Sequence, residues 1–118
     1  MAQNILPEAN YLEFLLWFLK QRQRLKVIGN SMLPLLKPGE EILVTTRTYR
    51  KSSPKIGDVV VLKHPHNNNL TIVKRIIDID SDFNCFLVGD NLIQSVDSRH
   101  WGPIRLEDLI GKVTSRFS

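Results

Sequence analysis

A mainly β, compact antiparallel domain, twisted or partly closed, with one N-terminal helix, is the fold class the sequence predicts. Three observations carry it. Short runs of strand character recur: Leu25–Ile28, Glu41–Thr46, Val59–Lys63, Leu70–Asp78, Phe83–Val88 and Leu109–Thr114. Turn signals such as Gly29-Asn30, Pro38-Gly39, Ile56-Gly57-Asp58 and Gly89-Asp90-Asn91 separate them. One stretch, Glu8 to about Arg24, has no glycine or proline and is rich in helix formers.

Size and composition narrow the function classes. A chain of 118 residues fits one domain. An apolar fraction of 42% with 24% charged residues supplies a core and excludes global disorder. Sixteen basic residues against twelve acidic leave +4, a mild bias towards acidic partners or membrane surfaces. No nucleic-acid-binding signature accompanies it, so no nucleic acid partner is expected. The single cysteine, Cys85, cannot form an internal disulfide, and its neighbours Phe86, Leu87 and Val88 read as a buried apolar strand.

Taken in order, Met1–Pro7 reads as a frayed end and Glu8–Arg24 as a helix that is apolar nearly all round. The uninterrupted run Phe14–Leu19 is far short of the roughly 20 residues that span a bilayer, and the flanks do not resemble a signal peptide. Lys20, Arg22, Arg24 and Lys26 follow. Such a segment either lies on an anionic membrane or a partner, or packs on its own domain with a solvated basic end. The division is therefore 1–25, a helix packed on or tethering the domain, and 26–118, the β domain. Residues 8–26 are the candidates for peripheral membrane contact. Thr48–Lys55 and His64–Asn69 read as loops. His64 and His66 are too few to ligate a metal, and a solvated loop explains them.

The chemistry starts from two residues. Alternation along Leu70–Ile77 places Lys74 on one face between Ile72 and Ile76. Such a lysine either snorkels to water or is partly buried. Burial lowers its pKa from about 10.4 and makes it a proton acceptor. Ser31 follows Gly29-Asn30 and precedes Met32-Leu33-Pro34. Alone it is a turn or cap residue. Beside a base it is a nucleophile, and its own backbone N–H stands where an oxyanion can be held.

The blocks around these residues resemble the signal peptidase I family of serine peptidases. Ser31-Met32-Leu33-Pro34-Leu35-Leu36 looks like the nucleophile box, with Leu35 where threonine is usual. Val73-Lys74-Arg75-Ile76-Ile77 looks like the general-base strand. Gly89-Asp90-Asn91 and Ser95-Val96-Asp97-Ser98-Arg99-His100-Trp101-Gly102 look like the last box. Three ordered blocks are far more specific than any one of them.

The resemblance implies a signal-peptidase-type β fold and a Ser–Lys dyad with Ser31 as nucleophile and Lys74 as general base. It implies that Ser95 orients Lys74, that Asp97 and Arg99 brace the site, and that Arg75 is the charge partner of Asp97. Met32 and Pro34 belong to the substrate pocket, and the Ser31 backbone N–H to the oxyanion hole. Gly29 stands where some members carry a serine as second donor. No metal or organic cofactor is required. His100 and Trp101 are read as structural.

Two departures bear on the substrate. Only the short helix precedes Ser31, where the family has a membrane anchor. Asp78–Val88 leaves no room for the insertion many members carry. The chain thus looks like a small cytoplasmic relative, peripheral to the membrane at most, and similar to the proteases that remove the N-terminal extension of the nickel-type superoxide dismutase precursor. The alternative is a membrane-associated signal peptidase I that cleaves export signal peptides. Self-cleaving repressors share the dyad but need a DNA-binding region before it. A non-enzymatic binding module would be indifferent to Ser31 and Lys74.

Overall fold

The computed structural model describes residues 6–117. Most of the stretch read as a frayed end, residues 1–5, lies outside them. The N-terminal helix α1 spans Tyr11–Phe18, with the Asn10 side chain accepting from Glu13 N at 3.0 Å as its cap. It is shorter than the expected Glu8–Arg24. The chain breaks at Lys20, which adopts φ 63°, and by Gln23 it is already a strand.

The strands are β1 (Gln23–Lys26), β2 (Glu41–Thr45), β3 (Val59–His64), β4 (Asn67–Ile79), β5 (Cys85–Val88) and β6 (Leu109–Phe117). They form one six-stranded sheet in the order β1-β2-β6-β3-β4-β5, antiparallel at every pairing. The sheet is mainly β, as expected, and does not close. β1 begins two residues before Leu25, so a boundary at 25/26 falls inside a strand. Pairing of His64 with Asn67 reduces the expected 64–69 loop to a tight turn at Pro65-His66. The Thr48–Lys55 segment opens with a short helix, α2 (Thr48–Lys51).

Why β3 is a continuous apolar run is visible in the packing. Val59 and Val61 face one cluster with Val27, Met32, Leu36, Ile42, Val44 and Val113. Val60 and Leu62 face a second with Ile76, Cys85, Leu87 and Ile104. A strand covered on both faces has no polar side to alternate with. Cys85 is fully buried there, and burial pushes its thiol up to about 11.

α1 is held at one end of the sheet. Phe14 and Trp17 meet the Phe117 ring at 5.4 and 6.1 Å, and Arg24 stacks on both Trp17 and Phe117. Its outer face is left in solvent, with Tyr11 94% and Phe18 81% exposed.

Candidate active site

The Ser31 turn is fixed by its apolar neighbours. Met32 and Leu36 are buried in the first cluster, and Leu36 N donates to Met32 O at 2.9 Å. That leaves Ser31 at the rim, partly exposed. Asn91 clamps the turn from across the fold. Its backbone N–H donates to Ser31 O at 2.8 Å and its side-chain amide to Asn30 O at 3.1 Å. Among the described residues, no group hydrogen-bonds the Ser31 hydroxyl or accepts from its backbone N–H.

Lys74 is 3% exposed on β4, directly opposite Val60 of β3. Its ammonium form is disfavoured first by burial, an effect the Asp97 charge opposes and the Arg99 charge reinforces; the net result is a lowered pKa. The Lys74 Nζ donates to Ser95 Oγ at 2.9 Å. Ser95 Oγ also accepts from Gly89 N at 3.2 Å and donates its one proton to Asp97 Oδ2 at 2.6 Å. Both lone pairs and the proton of Ser95 are therefore committed. The serine cannot hand a proton to the amine, so a neutral Lys74 keeps its lone pair for another partner.

Gly89 brings Ser31 to that pair. A Cβ on Gly89 would stand 2.3 Å from Ser95 Oγ and 2.6 Å from Ser31 O. Only glycine lets the Ser31 turn and the Lys74–Ser95 pair close on one another here. Lys74 and Ser31 do not hydrogen-bond each other in this structure.

Asp97 is fully buried at the start of helix α3 (Ser98–Trp101), whose N-terminus it caps. Burial alone would raise its carboxyl, but hydrogen bonds from Arg99, Ser95 and Gly89 outweigh that and hold it well below the usual carboxylate range. Arg99, not Arg75, is its charge partner, with Nε to Oδ1 at 2.9 Å. This corrects the expected Arg75–Asp97 pair. Arg75 follows Lys74 on the strand and so points to the opposite face, where it forms a bidentate pair with Asp90 at 2.8 and 2.9 Å and donates to Gly57 O at 3.0 Å. His100 Nδ1 completes the α3 cap, accepting from Asp97 N at 3.4 Å, and Trp101 meets the His64 ring at 5.1 Å.

A groove of about 290 Å³ runs past Ser31. One wall is Leu25–Ile28 at the end of β1; the other is Asn69–Val73 of β4, with Met32 on the lining. β5 pairs with β4 only from Arg75 onward, so the Asn67–Val73 stretch is paired by β3 alone. An extended peptide has main-chain partners available on that wall. Pro34 is exposed and outside the lining. A larger cavity, about 730 Å³, lies between α2 and Asp82-Phe83 and includes neither Ser31 nor Lys74.

Residues 9–83 and 82–118 match the family described as "Signal peptidase, peptidase S26". The chain belongs to this family. The two matched parts meet at Asp82-Phe83, in the turn between β4 and β5. Similar curated proteins include the mitochondrial ATP-independent inner membrane protease subunit 1b of Arabidopsis thaliana, 30% identical over 75% of this chain and 65% of that protein. The mitochondrial inner membrane protease subunit 1 of Schizosaccharomyces pombe is 30% identical over 75% of this chain and 68% of its own length. Signal peptidase I of Buchnera aphidicola subsp. Baizongia pistaciae is 38% identical over 48% of this chain and 22% of its length. The chain thus spans about two thirds of the length of the mitochondrial relatives. Among the described residues no helix is long and apolar enough to cross a membrane.

Beyond forming a turn, Gly89 donates to Ser95 and Asp97, Asp90 pairs with Arg75, and Asn91 clamps the Ser31 turn. The signal was present in the Gly-Asp-Asn box, but a turn motif does not reveal which groups it will clamp.

Proposed function

We propose that this chain is a serine endopeptidase that removes an N-terminal extension from a precursor protein, with Ser31 as nucleophile and Lys74 as general base. The observation that carries the reading is a buried lysine whose Nζ, among the described residues, hydrogen-bonds only a hydroxyl with no proton to give, with the Ser31 turn closing on that hydroxyl at Gly89. The precursor segment lies extended in the groove. Lys74 takes the Ser31 proton as Oγ attacks the scissile carbonyl carbon, and the Ser31 N–H holds the developing oxyanion. The protonated Lys74 gives its proton to the departing amine as the C–N bond breaks. Water then attacks the acyl carbon with Lys74 taking its proton; as the ester C–O bond breaks, Lys74 returns that proton to Ser31 Oγ, and the released acid ionises to the carboxylate. Ser95, Asp97 and Arg99 hold the base, and Met32 supports the pocket before the cut. No step requires a cofactor.

The substrate this reading favours is the precursor of a nickel-type superoxide dismutase in the cytoplasm; the box sequences and the short β4–β5 turn support it. A second reading, cleavage of export signal peptides at a membrane, is supported by the exposed apolar face of α1 and by the inner membrane proteases and signal peptidase I among the similar proteins. In it, residues 8–26 rest on the bilayer surface. Incubating the purified protein with each precursor, the second inserted in anionic vesicles, and reading intact mass separates the two. A defined N-terminal loss from the dismutase precursor, absent with Ser31→Ala, supports the first reading. Loss from the vesicle-bound precursor alone replaces it with the second. Two intact precursors overturn both.

A further inference from the structure

We propose that Arg99 is a positioning residue for the base: it covers the Asp97 carboxylate so that this buried negative charge does not hold Lys74 as an ammonium ion. The inference rests on the reading of Lys74 as general base and adds what keeps it in the reactive form. The problem it solves is built into the site. Asp97 is needed to take the Ser95 proton, which is what points the Ser95 oxygen at Lys74. A carboxylate one hydroxyl away from an amine, both out of water, favours the charged amine. Orientation of the base and its deprotonation are therefore in conflict.

Arg99 resolves the conflict by geometry. Its backbone N–H reaches Asp97 Oδ1 at 3.2 Å, Nε the same oxygen at 2.9 Å, and Nη2 reaches Oδ2 at 3.1 Å. The guanidinium is itself held by Leu92 O at 2.7 Å and Ser95 O at 3.1 Å. It approaches from the surface side, partly solvated, while Asp97 is fully buried between it and Ser95. The other elements around Lys74 add little field. β3 faces it with Val60, and the turn after β5 with Gly89. Arg75 is matched by Asp90 on the opposite face of β4, and Asp58 of the β3 entry is matched by Lys112 of β6 at 3.5 Å. Asp97 and Arg99 are the charges that bear on Lys74, in opposite senses.

The test needs no substrate. Protein carrying lysine labelled with ¹³C at Cε is titrated by NMR, with the Lys74 signal assigned by its loss in Lys74→Met. Arg99→Gln is expected to raise the Lys74 midpoint by about one pH unit or more, and Arg99→Lys, which keeps the charge, to leave it near wild type. Asp97→Asn is expected to lower the midpoint. A purely structural Arg99 would give the same midpoint in Arg99→Gln and Arg99→Lys as in wild type, and that result, with the fold intact by circular dichroism, overturns the proposal. If Arg99→Gln does not fold, Asp97→Asn decides: an unmoved midpoint overturns it. A wild-type midpoint near 10.4 instead contradicts the reading of Lys74 as base, independently of Arg99.

Discussion

Lys74 and Arg75 are consecutive cations on one strand, 3% and 9% exposed, and they have opposite fates. Alternation sends them to opposite faces of β4. Arg75 meets the Asp90 carboxylate in a two-pronged ion pair and is locked as a charged strut between β4, the Gly89–Asn91 turn and Gly57. Among the described residues Lys74 Nζ meets only a hydroxyl, and the Asp97 carboxylate that accepts from that hydroxyl is already engaged by Arg99. A guanidinium cannot give up its proton at any ordinary pH, whereas an amine denied a counter-ion can. Burial is common to both; what separates them is the partner, a carboxylate for Arg75 and a hydroxyl for Lys74.

Breaking each side of that contrast should do different damage. Lys74→Met should lower turnover the most, by roughly 10²–10⁴-fold, while the fold survives. It should also stabilise the protein at neutral pH. The folded-state pKa of Lys74 lies below its unfolded value of about 10.4. Below the lowered pKa, wild type therefore carries the full cost of burying the ammonium, and that cost fades as pH rises towards 10.4. Thermal melts of wild type and Lys74→Met across pH read this directly: the gain should shrink as pH rises.

Asp90→Asn strands the Arg75 charge and should cost stability instead, about 2–3 kcal/mol in urea unfolding. That is below the penalty for a fully buried pair because both partners retain some solvent. Turnover per folded molecule should fall far less than in Lys74→Met. Gly89→Ala sharpens the comparison from between the two. Its methyl would meet Ser95 Oγ and Ser31 O, so stability should drop by about 1–3 kcal/mol and turnover should fall with it.

Local signals made much of this legible. β-branched runs and Pro/Gly turns gave the strands to within a few residues, and alternation along Leu70–Ile77 gave the face that Lys74 shares with Ile72 and Ile76, while its burial stayed open between snorkelling and a partly buried amine. Long-range pairing was not legible. The helix was expected to reach Arg24 because Lys20, Arg22 and Arg24 suit a helix, but Gln23–Lys26 is instead recruited by β2 and ends it early. Asn67–Asn69 read as loop by composition, yet β3 draws the chain back into a strand at once. The Arg75–Asp97 pair failed on a more instructive ground. Both residues lie in the matched blocks, but facing is decided by strand parity and by α3, which turns Arg99 back onto the residue that caps it. Ser31 and Lys74 carry their chemistry in sequence context; Gly89 and Asn91 do so only once the turn closes over Ser31.

The most direct test of a neutral, buried Lys74 activating Ser31 is the pH dependence of cleavage, measured as kcat/KM with a processed precursor and Ser31→Ala as the blank. The expected profile rises with pH through a midpoint below 10.4 as Lys74 loses its proton, and that limb disappears in Lys74→Met. A profile unchanged by Lys74→Met, with activity still dependent on Ser31, would mean that another group takes the serine proton and that Lys74 is only a buried support.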